Sequence, residues 1–224
     1  MSKTAFIFDL DGVIVDTAKY HFLAWQRLAK RLDIEFTEEE NEQLKGVSRV
    51  RSLQKILEWG NKTISETEFN DLMASKNEEY LSYIDDMDQS ELLPDVLKTL
   101  KDLKSKKQPI ALGSASKNAR RILKQTSIND LFDVIVDGND VSKAKPDPEV
   151  FLNAAKLLNV KPEDCVVFED SVAGVTAANS ANMVSIGIGS KEVLGHADFV
   201  FKDFTELPGD FIKELINKKY ANKA

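Results

Sequence analysis

The feature that most constrains the fold of this chain is a regular alternation of short apolar runs with segments of helical periodicity. Several of the apolar runs carry no polar face, which is typical of strands covered by helices on both sides. Such an alternation predicts an α/β protein, a doubly wound parallel sheet with a Rossmann-like core and right-handed crossovers. The predicted strands lie at 5–9, 110–114, 134–137, 166–169, 184–188 and 199–201, and the helices between them at about 94–106, 117–126, 148–158 and 171–181.

A long interval interrupts this alternation after the first strand. Roughly 100 residues separate Asp9 from Ile110, far more than one crossover connection needs. Apolar residues recur at three- and four-residue spacing from Phe22 to Leu32, which predicts an amphipathic helix. Two capping-box patterns mark further helix starts, Thr37-x-x-Glu40 and Ser65-x-x-Glu68. The glycine at position 46 predicts a bend in the second helical region.

The inserted helical segment predicts a two-domain organisation. We expect residues 16–92 to form a helical cap domain. Residues 1–15 and 93–224 would then form the α/β catalytic core domain into which the cap is inserted.

Composition and charge narrow the class of protein. Apolar residues make up 42% and charged residues 30%, as in globular proteins. A net charge of −7 with no evident basic patch argues against binding to nucleic acid, although local lysines and a metal ion can still bind a small anionic substrate.

The single cysteine, Cys165, excludes an internal disulfide. The sequence shows neither a signal-peptide pattern nor an apolar stretch of membrane-spanning length, so we expect a cytoplasmic protein, and nothing demands more than a monomer.

Polar residues follow three of the predicted strands where each strand ends. Asp9 and Asp11 follow the first strand, Ser114 ends the second, and Glu169 and Asp170 close the fourth. Ligands of open α/β sheets bind beyond the carboxyl ends of the strands, so we expect these side chains to converge there. Clustered carboxylates repel one another without a cation, and a hard cation bound by oxygen, such as Mg²⁺, fits them.

This arrangement suggests phosphoryl transfer. A carboxylate such as Asp9 can act as nucleophile and form an aspartyl phosphate, while Asp11, two residues on, can handle protons. Ser114 and the N–H groups of a helix starting near Lys117 predict a phosphate cradle, and Lys145 stands in a nearby loop. Each residue has a structural explanation when taken alone: a turn, a helix cap or a solvated lysine. Their coincidence at the ends of strands in one sheet favours a functional site.

The same residues resemble the haloacid dehalogenase-like phosphotransferase superfamily. The resemblance runs through Asp9-Leu10-Asp11-Gly12-Val13, Ser114, Lys145-Pro146 and Glu169-Asp170-Ser171, and so spans essentially the whole chain. It implies that Asp9 is the nucleophile and a Mg²⁺ ligand, and that Asp11 is the general acid/base whose carbonyl also binds the metal. It further implies that Glu169 and Asp170 complete the metal site, and that Ser114 and Lys145 stabilise the transferring phosphoryl group.

A second set of residues resembles the beta-phosphoglucomutase family within that superfamily. The family's activity implies a phosphomutase that interconverts beta-D-glucose 1-phosphate and D-glucose 6-phosphate through a glucose 1,6-bisphosphate intermediate, which also serves as activator. Either Arg49 or Arg51 could bind the non-reacting phosphate, since a guanidinium binds phosphate bidentately. The sequence alone does not choose between them, and the resemblance selects Arg49. The resemblance implies substrate binding by Thr17, His21, Gly46, Val47, Ser48, Arg49, Ser52, Lys76, Ser114, Ala115, Ser116, Lys117, Asn118 and Lys145.

Some features leave alternatives open. Asp147 stands where a small residue is expected in the mutase family, and phosphatase relatives often carry an aspartate there. A Mg²⁺-dependent sugar-phosphate phosphatase on the same fold is therefore the alternative function. A non-catalytic binding module is disfavoured, because every residue that the chemistry requires is present. His21 alone would be a structural histidine, whereas the resemblance favours a role near Asp11 or in cap closure. The sequence assigns no role to His196.

Overall fold

The computed structural model describes residues 3–44 and 47–217, and its centre is a six-stranded parallel sheet. Each predicted strand is present, with its ends within one residue of the prediction. The strands are β1 (Ala5–Phe8), β2 (Ile110–Gly113), β3 (Val134–Val136), β4 (Cys165–Glu169), β5 (Val184–Ile188) and β6 (Phe199–Phe201). Their order is β3-β2-β1-β4-β5-β6, and every neighbouring pair is parallel. The predicted doubly wound α/β fold is confirmed.

Four of the helices that the structure describes lie between residues 16 and 92, where the sequence predicts a helical insertion. We call them the inserted helices. They are α1 (Ala18–Arg31), α2 (Glu38–Glu42), α3 (Arg49–Trp59) and α4 (Glu66–Asp85). The other helices are α5 (Val96–Ser105), α6 (Ala119–Gln125), α7 (Glu149–Leu158), α8 (Val172–Ser180), α9 (Lys191–Leu194) and α10 (Phe211–Ile216).

The two faces of the sheet pack against different helices. Along β1, side chains alternate between the faces because the side-chain period of a strand is two residues. Phe6 and Phe8 belong to a buried cluster that includes apolar residues of α5, α6 and α10. Ala5 and Ile7 belong to a second cluster with residues of α7 and α8. Both faces of β1 are thus covered, which explains why its sequence is apolar at every position.

The inserted helices have an apolar cluster of their own. It contains Trp25 and Leu28 from α1, Leu53 and Ile56 from α3, and Leu72 from α4. The spacing of these residues along each helix is three or four, which places them on one face.

The two predicted capping residues start their helices. Thr37 forms a complete capping box with Glu40 at the start of α2: the Glu40 N–H donates to the Thr37 hydroxyl and the Thr37 N–H to the Glu40 carboxylate. Ser65 caps α4 by accepting from the N–H of Glu68 at 3.2 Å. The bend predicted around Gly46 lies outside the described residues.

Helix α4 joins the inserted helices to the sheet domain through α6. The side-chain amide of Gln125 donates to the Asp85 carbonyl at 2.9 Å, and Arg121 forms an ion pair with the Asp85 carboxylate. Nearer the ends of the strands, the amide of Asn118 donates to the side chain of Asn77 at 3.0 Å. These contacts hold α4 over the carboxyl edge of the sheet. Among residues 3–44 and 47–217, no helix is both long enough and apolar enough to cross a bilayer.

Candidate active site

A cleft of about 360 Å³ lies between the carboxyl edge of the sheet and the inserted helices. Its size suits a small molecule such as a phosphorylated sugar. Most of the residues that the sequence singled out line it: Asp9, Asp11, His21, Val47, Ser48, Arg49, Ser52, Lys76, Ser114, Ala115, Ser116, Lys117, Asn118, Lys145 and Asp170. Thr17 and Glu169 contact members of this lining from behind it. Gly46 lies outside the described residues.

Lys145 links two carboxylates on the sheet side of the cleft. Its buried ammonium donates to Asp9 Oδ1 at 2.5 Å and to Glu169 Oε1 at 2.7 Å. The other oxygen of Glu169 accepts from both the N–H (2.6 Å) and the hydroxyl (2.9 Å) of Ser171. Glu169 is therefore fixed by three hydrogen bonds, and Lys145 lies directly beside Asp9.

The pKa values of both Asp9 and Lys145 differ from their ordinary values. Burial raises the pKa of Asp9 to about 7, and the neighbouring Lys145 opposes that rise. Burial works against the ammonium of Lys145, but the carboxylates of Asp9 and Glu169 outweigh it and hold the pKa of Lys145 above its ordinary value. Lys145 therefore remains a cation across the physiological range, directly beside Asp9.

Three carboxylates of this group form an acidic cluster that suits a divalent cation. Asp9, Glu169 and Asp170 each offer an oxygen, and these oxygens lie within 4.8 Å of one another. Three carboxylates and one ammonium, that of Lys145, leave two negative charges, which a divalent cation would balance. Oxygen ligands of this kind are the ones that Mg²⁺ prefers.

Two glycines make room for the carboxylates of this cluster. A Cβ at Gly12 would overlap the carboxyl group of Asp170, and a Cβ at Gly174 would overlap that of Glu169. Gly12 also has a φ of +79°, a conformation that side chains with a Cβ rarely adopt. The backbone is thus built around the positions of the two carboxylates.

Asp11 is held by a different partner from Asp9. The hydroxyl of Thr17, which is fully buried, donates to Asp11 Oδ1. Burial raises the pKa of Asp11, and the hydrogen bond from Thr17 opposes that shift. The two aspartates at the end of β1 are therefore in different environments, as is required if one is a nucleophile and the other exchanges protons.

Lys76, which is buried, and His21, which is partly buried, form a pair on the side of the inserted helices. The Lys76 ammonium, only 2% exposed, lies 2.9 Å from His21 Nδ1 and sits over the rings of Trp25 (4.7 Å) and Tyr80 (4.6 Å). Within residues 3–44 and 47–217, no carboxylate forms an ion pair with it. Burial and, to a smaller extent, the nearby charge of Arg49 together lower the pKa of Lys76 to about 7. Burial likewise lowers the pKa of His21, so the imidazole is neutral.

The substitution Lys76→Met should raise the free energy of unfolding by on the order of a few kcal/mol at pH 7. This gain should become smaller as the pH rises. Between the folded-state pKa of about 7 and the ordinary value of 10.5, the unfolded chain binds a proton at Lys76 that the native protein does not. Stability of the unmodified protein therefore falls as the pH is lowered from 10.5 to 7, and the substitution removes that loss. Urea unfolding at several pH values in this range measures the difference. Lys101→Met, at an exposed lysine of α5, is the control. A gain in stability from Lys76→Met that did not vary with pH would contradict the lowered pKa of Lys76 in the folded protein.

Arg49 and Arg51, which the sequence could not separate without the family resemblance, differ clearly in the structure. Arg51 is bound to Glu58 at 2.7 Å, with both side chains about half exposed (49% and 58%). Arg49 lines the cleft instead, and burial lowers the pKa of its guanidinium. Two nearby side chains have structural bonds: the Ser48 hydroxyl caps α3 by accepting from the Arg51 N–H, and the Ser52 hydroxyl donates to the Ser48 carbonyl.

The loop from Ser114 to Asn118 corrects one prediction. Helix α6 begins at Ala119 rather than near Lys117. The reason is that the hydroxyls of Ser114 and Ser116 accept from the N–H groups two residues ahead, at 3.1 and 3.2 Å, and such turns compete with helix formation. The N–H groups of Ser116 and Asn118 are thus already bonded, so the expected phosphate cradle at a helix start is only partly available.

The sequence analysis missed several residues in and around the cleft, and Tyr80 and Asn77 are two of them. Tyr80 lines the cleft, four residues after Lys76 and on the same face of α4, and this spacing was the signal available in the sequence. Asn77 forms a side-chain hydrogen bond with Asn118 at the edge of the cleft. No sequence pattern predicts this contact. Trp25, which belongs to the apolar cluster of the inserted helices, also borders the cleft.

Asp147 and His196, whose functions the sequence left undecided, both make contacts that stabilise the fold. Asp147 accepts from the N–H of Glu149 at 3.0 Å and pairs with Lys143 at 3.3 Å, so it stabilises the start of α7, which begins at Glu149 after Pro148. His196 accepts at its carbonyl from the side chain of Asn179 at 2.9 Å and so connects the loop after α9 to α8.

Comparison with known proteins places this site in a family. The haloacid dehalogenase-like hydrolase family matches residues 3–182 of the chain. That match covers most of the sequence and includes the acidic cluster, Lys145 and the inserted helices. The chain therefore belongs to the haloacid dehalogenase-like hydrolase family.

Within that family, the chain is similar to two beta-phosphoglucomutases over nearly its whole length. The chain is 43% identical to the beta-phosphoglucomutase of Bacillus subtilis over 94% of each chain. It also matches a crystal structure of beta-phosphoglucomutase from Clostridium difficile, with a TM-score of 0.92 and 45% identity over 98% of this chain and 99% of that one. A more distant relative is a phosphorylated carbohydrates phosphatase of Thermotoga maritima, 35% identical over 81% of this chain and 83% of that protein.

Proposed function

We propose that the protein is a phosphomutase that interconverts beta-D-glucose 1-phosphate and D-glucose 6-phosphate. The observation that carries this proposal is a single cleft with two separate cationic positions. Lys145 lies beside Asp9 on the sheet side, whereas Arg49 and Lys76 lie on the side of the inserted helices with no carboxylate in an ion pair with either, among the residues described. A phosphatase has to bind one phosphate, but a mutase has to bind both ends of a bisphosphate. The similarity to two beta-phosphoglucomutases supports the same conclusion.

The first half of the proposed reaction transfers a phosphoryl group from the bisphosphate to Asp9. A carboxylate oxygen of Asp9 attacks the phosphorus, and the bond from phosphorus to the sugar oxygen breaks. Asp11 gives its proton to that leaving oxygen. Lys145 and the Ser114 hydroxyl stabilise the charge on the transferring group. Asp9, Glu169 and Asp170, with the Asp11 carbonyl, would hold Mg²⁺, which supplies further positive charge to the phosphoryl oxygens when bound.

The second half reverses these steps at the other end of the sugar. Beta-glucose 1-phosphate binds with its free 6-hydroxyl toward phosphorylated Asp9, that hydroxyl gives its proton to Asp11, and its oxygen attacks the aspartyl phosphate. Asp9 is regenerated and glucose 1,6-bisphosphate forms as the intermediate. After the bisphosphate has turned round in the cleft, its 1-phosphoryl group passes to Asp9 as in the first half, and glucose 6-phosphate is released. Arg49 holds the non-reacting phosphate, and Val47, Ser48, Ser52, Lys76 and the loop from Ser114 to Asn118 surround the sugar. Exclusion of water by the inserted helices limits hydrolysis of the phosphoenzyme.

Product analysis tests this proposal directly. The purified protein is given beta-glucose 1-phosphate, Mg²⁺ and a trace of glucose 1,6-bisphosphate, and both glucose 6-phosphate and inorganic phosphate are measured. We expect glucose 6-phosphate to form in large excess over phosphate, and chelation of the metal with EDTA to stop the reaction. Release of phosphate without isomerisation would instead identify a sugar-phosphate phosphatase. The alpha anomer is the control for stereochemical selection.

Arg49→Ala should lower kcat/KM for isomerisation about 10- to 100-fold, because it removes one charge-assisted contact to phosphate. It should also increase the phosphate released per glucose 6-phosphate formed, because a sugar held less firmly leaves the phosphoenzyme open to water. Arg51→Ala is a matched control, since Arg51 is two residues away and paired with Glu58 on the outside of α3. Equal effects of the two substitutions on the product ratio would refute the assignment of Arg49.

We also propose the domain division, location and assembly of the protein. Residues 16–92 would form a cap domain that closes over a core made of 1–15 and 93–224, in keeping with the separate apolar cluster of the inserted helices. We expect a monomer, which sedimentation analysis can check. A cytoplasmic location fits a phosphorylated substrate and a buried thiol at Cys165 whose pKa burial raises to about 12. Cell fractionation tests the location.

A further inference from the structure

Asn41 is a buried residue in the wall of the cleft to which the proposed reaction assigns no role. It is 8% exposed and lines the cleft from helix α2. Its backbone is hydrogen-bonded, but its side-chain amide forms no hydrogen bond with any residue that the structure describes. Buried polar groups are nearly always hydrogen-bonded, because an unpaired one loses its interactions with water. An unpaired amide in the wall of a substrate cleft therefore indicates a ligand.

The short helix α2 fixes the backbone of Asn41 beside the cleft. The capping box of Thr37 and Glu40 starts the helix, and the N–H of Asn41 donates to the Thr37 carbonyl at 3.0 Å. Leu44, three residues later, donates its N–H to the Asn41 carbonyl at 2.9 Å, packs in the apolar cluster of the inserted helices and also lines the cleft. The opposite side of α2 carries exposed glutamates. The amide is thus placed before a ligand binds, which lowers the entropic cost of binding.

Four other polar side chains of the inserted helices that line the cleft differ from Asn41 in charge or in bonding. The hydroxyl of Ser48 caps α3, and that of Ser52 donates to the Ser48 carbonyl at 3.1 Å. Arg49 and Lys76 are basic and suit phosphate oxygens. The amide of Asn41 is neutral and offers two donors and one acceptor. A sugar hydroxyl both donates and accepts, so it matches the amide.

We propose that the side-chain amide of Asn41 binds a ring hydroxyl of the hexose, at C2, C3 or C4, and so helps to select the sugar as well as to orient it. The inference rests on the proposed function, because that function places a hexose between two phosphate positions. The cations of the cleft suit the phosphates at C1 and C6, which leaves the ring hydroxyls to neutral groups. A sugar without the matching hydroxyl buries the amide unpaired, and sites of this kind discriminate against such analogues.

The test removes the amide and the sugar hydroxyl separately and together. Acetyl phosphate phosphorylates Asp9 and releases acetate, and transfer from Asp9 to glucose 6-phosphate is measured as glucose 1,6-bisphosphate. In Asn41→Ala, kcat/KM for glucose 6-phosphate in this transfer should fall about ten-fold, the effect of one lost hydrogen bond. The assay is repeated with 2-deoxy-, 3-deoxy- and 4-deoxyglucose 6-phosphate. With at least one analogue, the unmodified protein should lose about ten-fold and Asn41→Ala less than about two-fold more, because the hydrogen bond is already absent.

Three controls separate loss of sugar binding from damage to the fold. In Asn41→Ala, phosphorylation of Asp9 by acetyl phosphate should remain within about two-fold of the unmodified protein, because that step involves no sugar. Thermal unfolding should change little, because the amide has no hydrogen bond to lose within the part of the chain that the structure describes. Asn70→Ala is the matched variant: Asn70 is an exposed residue of α4, and the substitution should change neither reaction.

The outcomes distinguish this inference from the proposed function. Three results would each overturn the inference: an unchanged kcat/KM for glucose 6-phosphate in Asn41→Ala, an equal loss in phosphorylation by acetyl phosphate, or a loss of the same size with glucose 6-phosphate and all three deoxy analogues. Failure of the unmodified protein to isomerise beta-glucose 1-phosphate would overturn the proposed function instead, and that result is obtained before any variant is made.

Discussion

Asp9→Asn should lower kcat on the order of 10⁴- to 10⁶-fold, as removal of a covalent nucleophile does in other enzymes. The amide is close in shape to the carboxylate, but it cannot form the aspartyl phosphate. The fold should tolerate the change. Lys145 retains its 2.7 Å ion pair with Glu169, and the Asp9 carboxylate is itself costly to bury, as its pKa of about 7 indicates.

Two measurements check this prediction. Intact-mass spectrometry after exposure to acetyl phosphate should show a phosphoryl adduct on the unmodified protein and none on Asp9→Asn. Isomerase assays should show the corresponding loss of activity, while thermal unfolding should change little. Asp71→Asn, at an exposed position of α4, is the control for loss of a negative charge. Undiminished turnover by Asp9→Asn would refute the covalent mechanism.

The sheet could be predicted from the sequence because burial on both faces leaves a clear pattern. In β1, each of the four residues is fully buried, Phe6 and Phe8 against one layer of helices and Ala5 and Ile7 against the other. A run of this kind that ends in polar residues gives the strand and its carboxyl end together. Parallel topology then places the residues after β1, β2 and β4 at one edge of the sheet, which is where Asp9, Ser114 and Glu169 lie.

The details of the site could not be predicted because they depend on how elements dock. The approach of Lys145 to both Asp9 and Glu169 is set by a loop distant in sequence from both. The contact between Asn77 and Asn118 depends on the placement of α4 above α6. Helical periodicity tells which side of α4 carries Lys76 and Tyr80, but not which residues of other elements that side will meet.

The late start of α6 has a more local cause. Hydroxyl side chains at Ser114 and Ser116 bond to the backbone two residues ahead and delay the helix to Ala119. Serines are common both in such turns and as helix caps, so the residue types alone do not choose between the two structures. The bonds seen here decide in favour of the turn.

Gly174→Ala should destabilise the protein by about 3 kcal/mol, the cost of forcing an extra carbon into a packed, charged interior. Gly174 lies in the first turn of α8, and its N–H donates to the Ser171 hydroxyl at 3.1 Å. A Cβ there would overlap the carboxyl group of Glu169. Alanine favours helices over glycine by about 1 kcal/mol, but that gain is smaller than the cost of moving a carboxylate held by Lys145 and Ser171.

The displaced Glu169 should also impair the metal site. Its loss from the acidic cluster should raise the Mg²⁺ concentration needed for half-maximal activity, so both denaturant unfolding and a Mg²⁺ titration measure the effect of Gly174→Ala. Gly209→Ala is the matched control: Gly209 is exposed, and a Cβ there would have no heavy atom within 4 Å. It should change stability by no more than about 0.5 kcal/mol and leave the Mg²⁺ dependence unchanged. Equal stability of the two variants would mean that α8 can move away from Glu169. In that case the fixed position of this carboxylate, and the compact acidic cluster that depends on it, would not be a property of the fold.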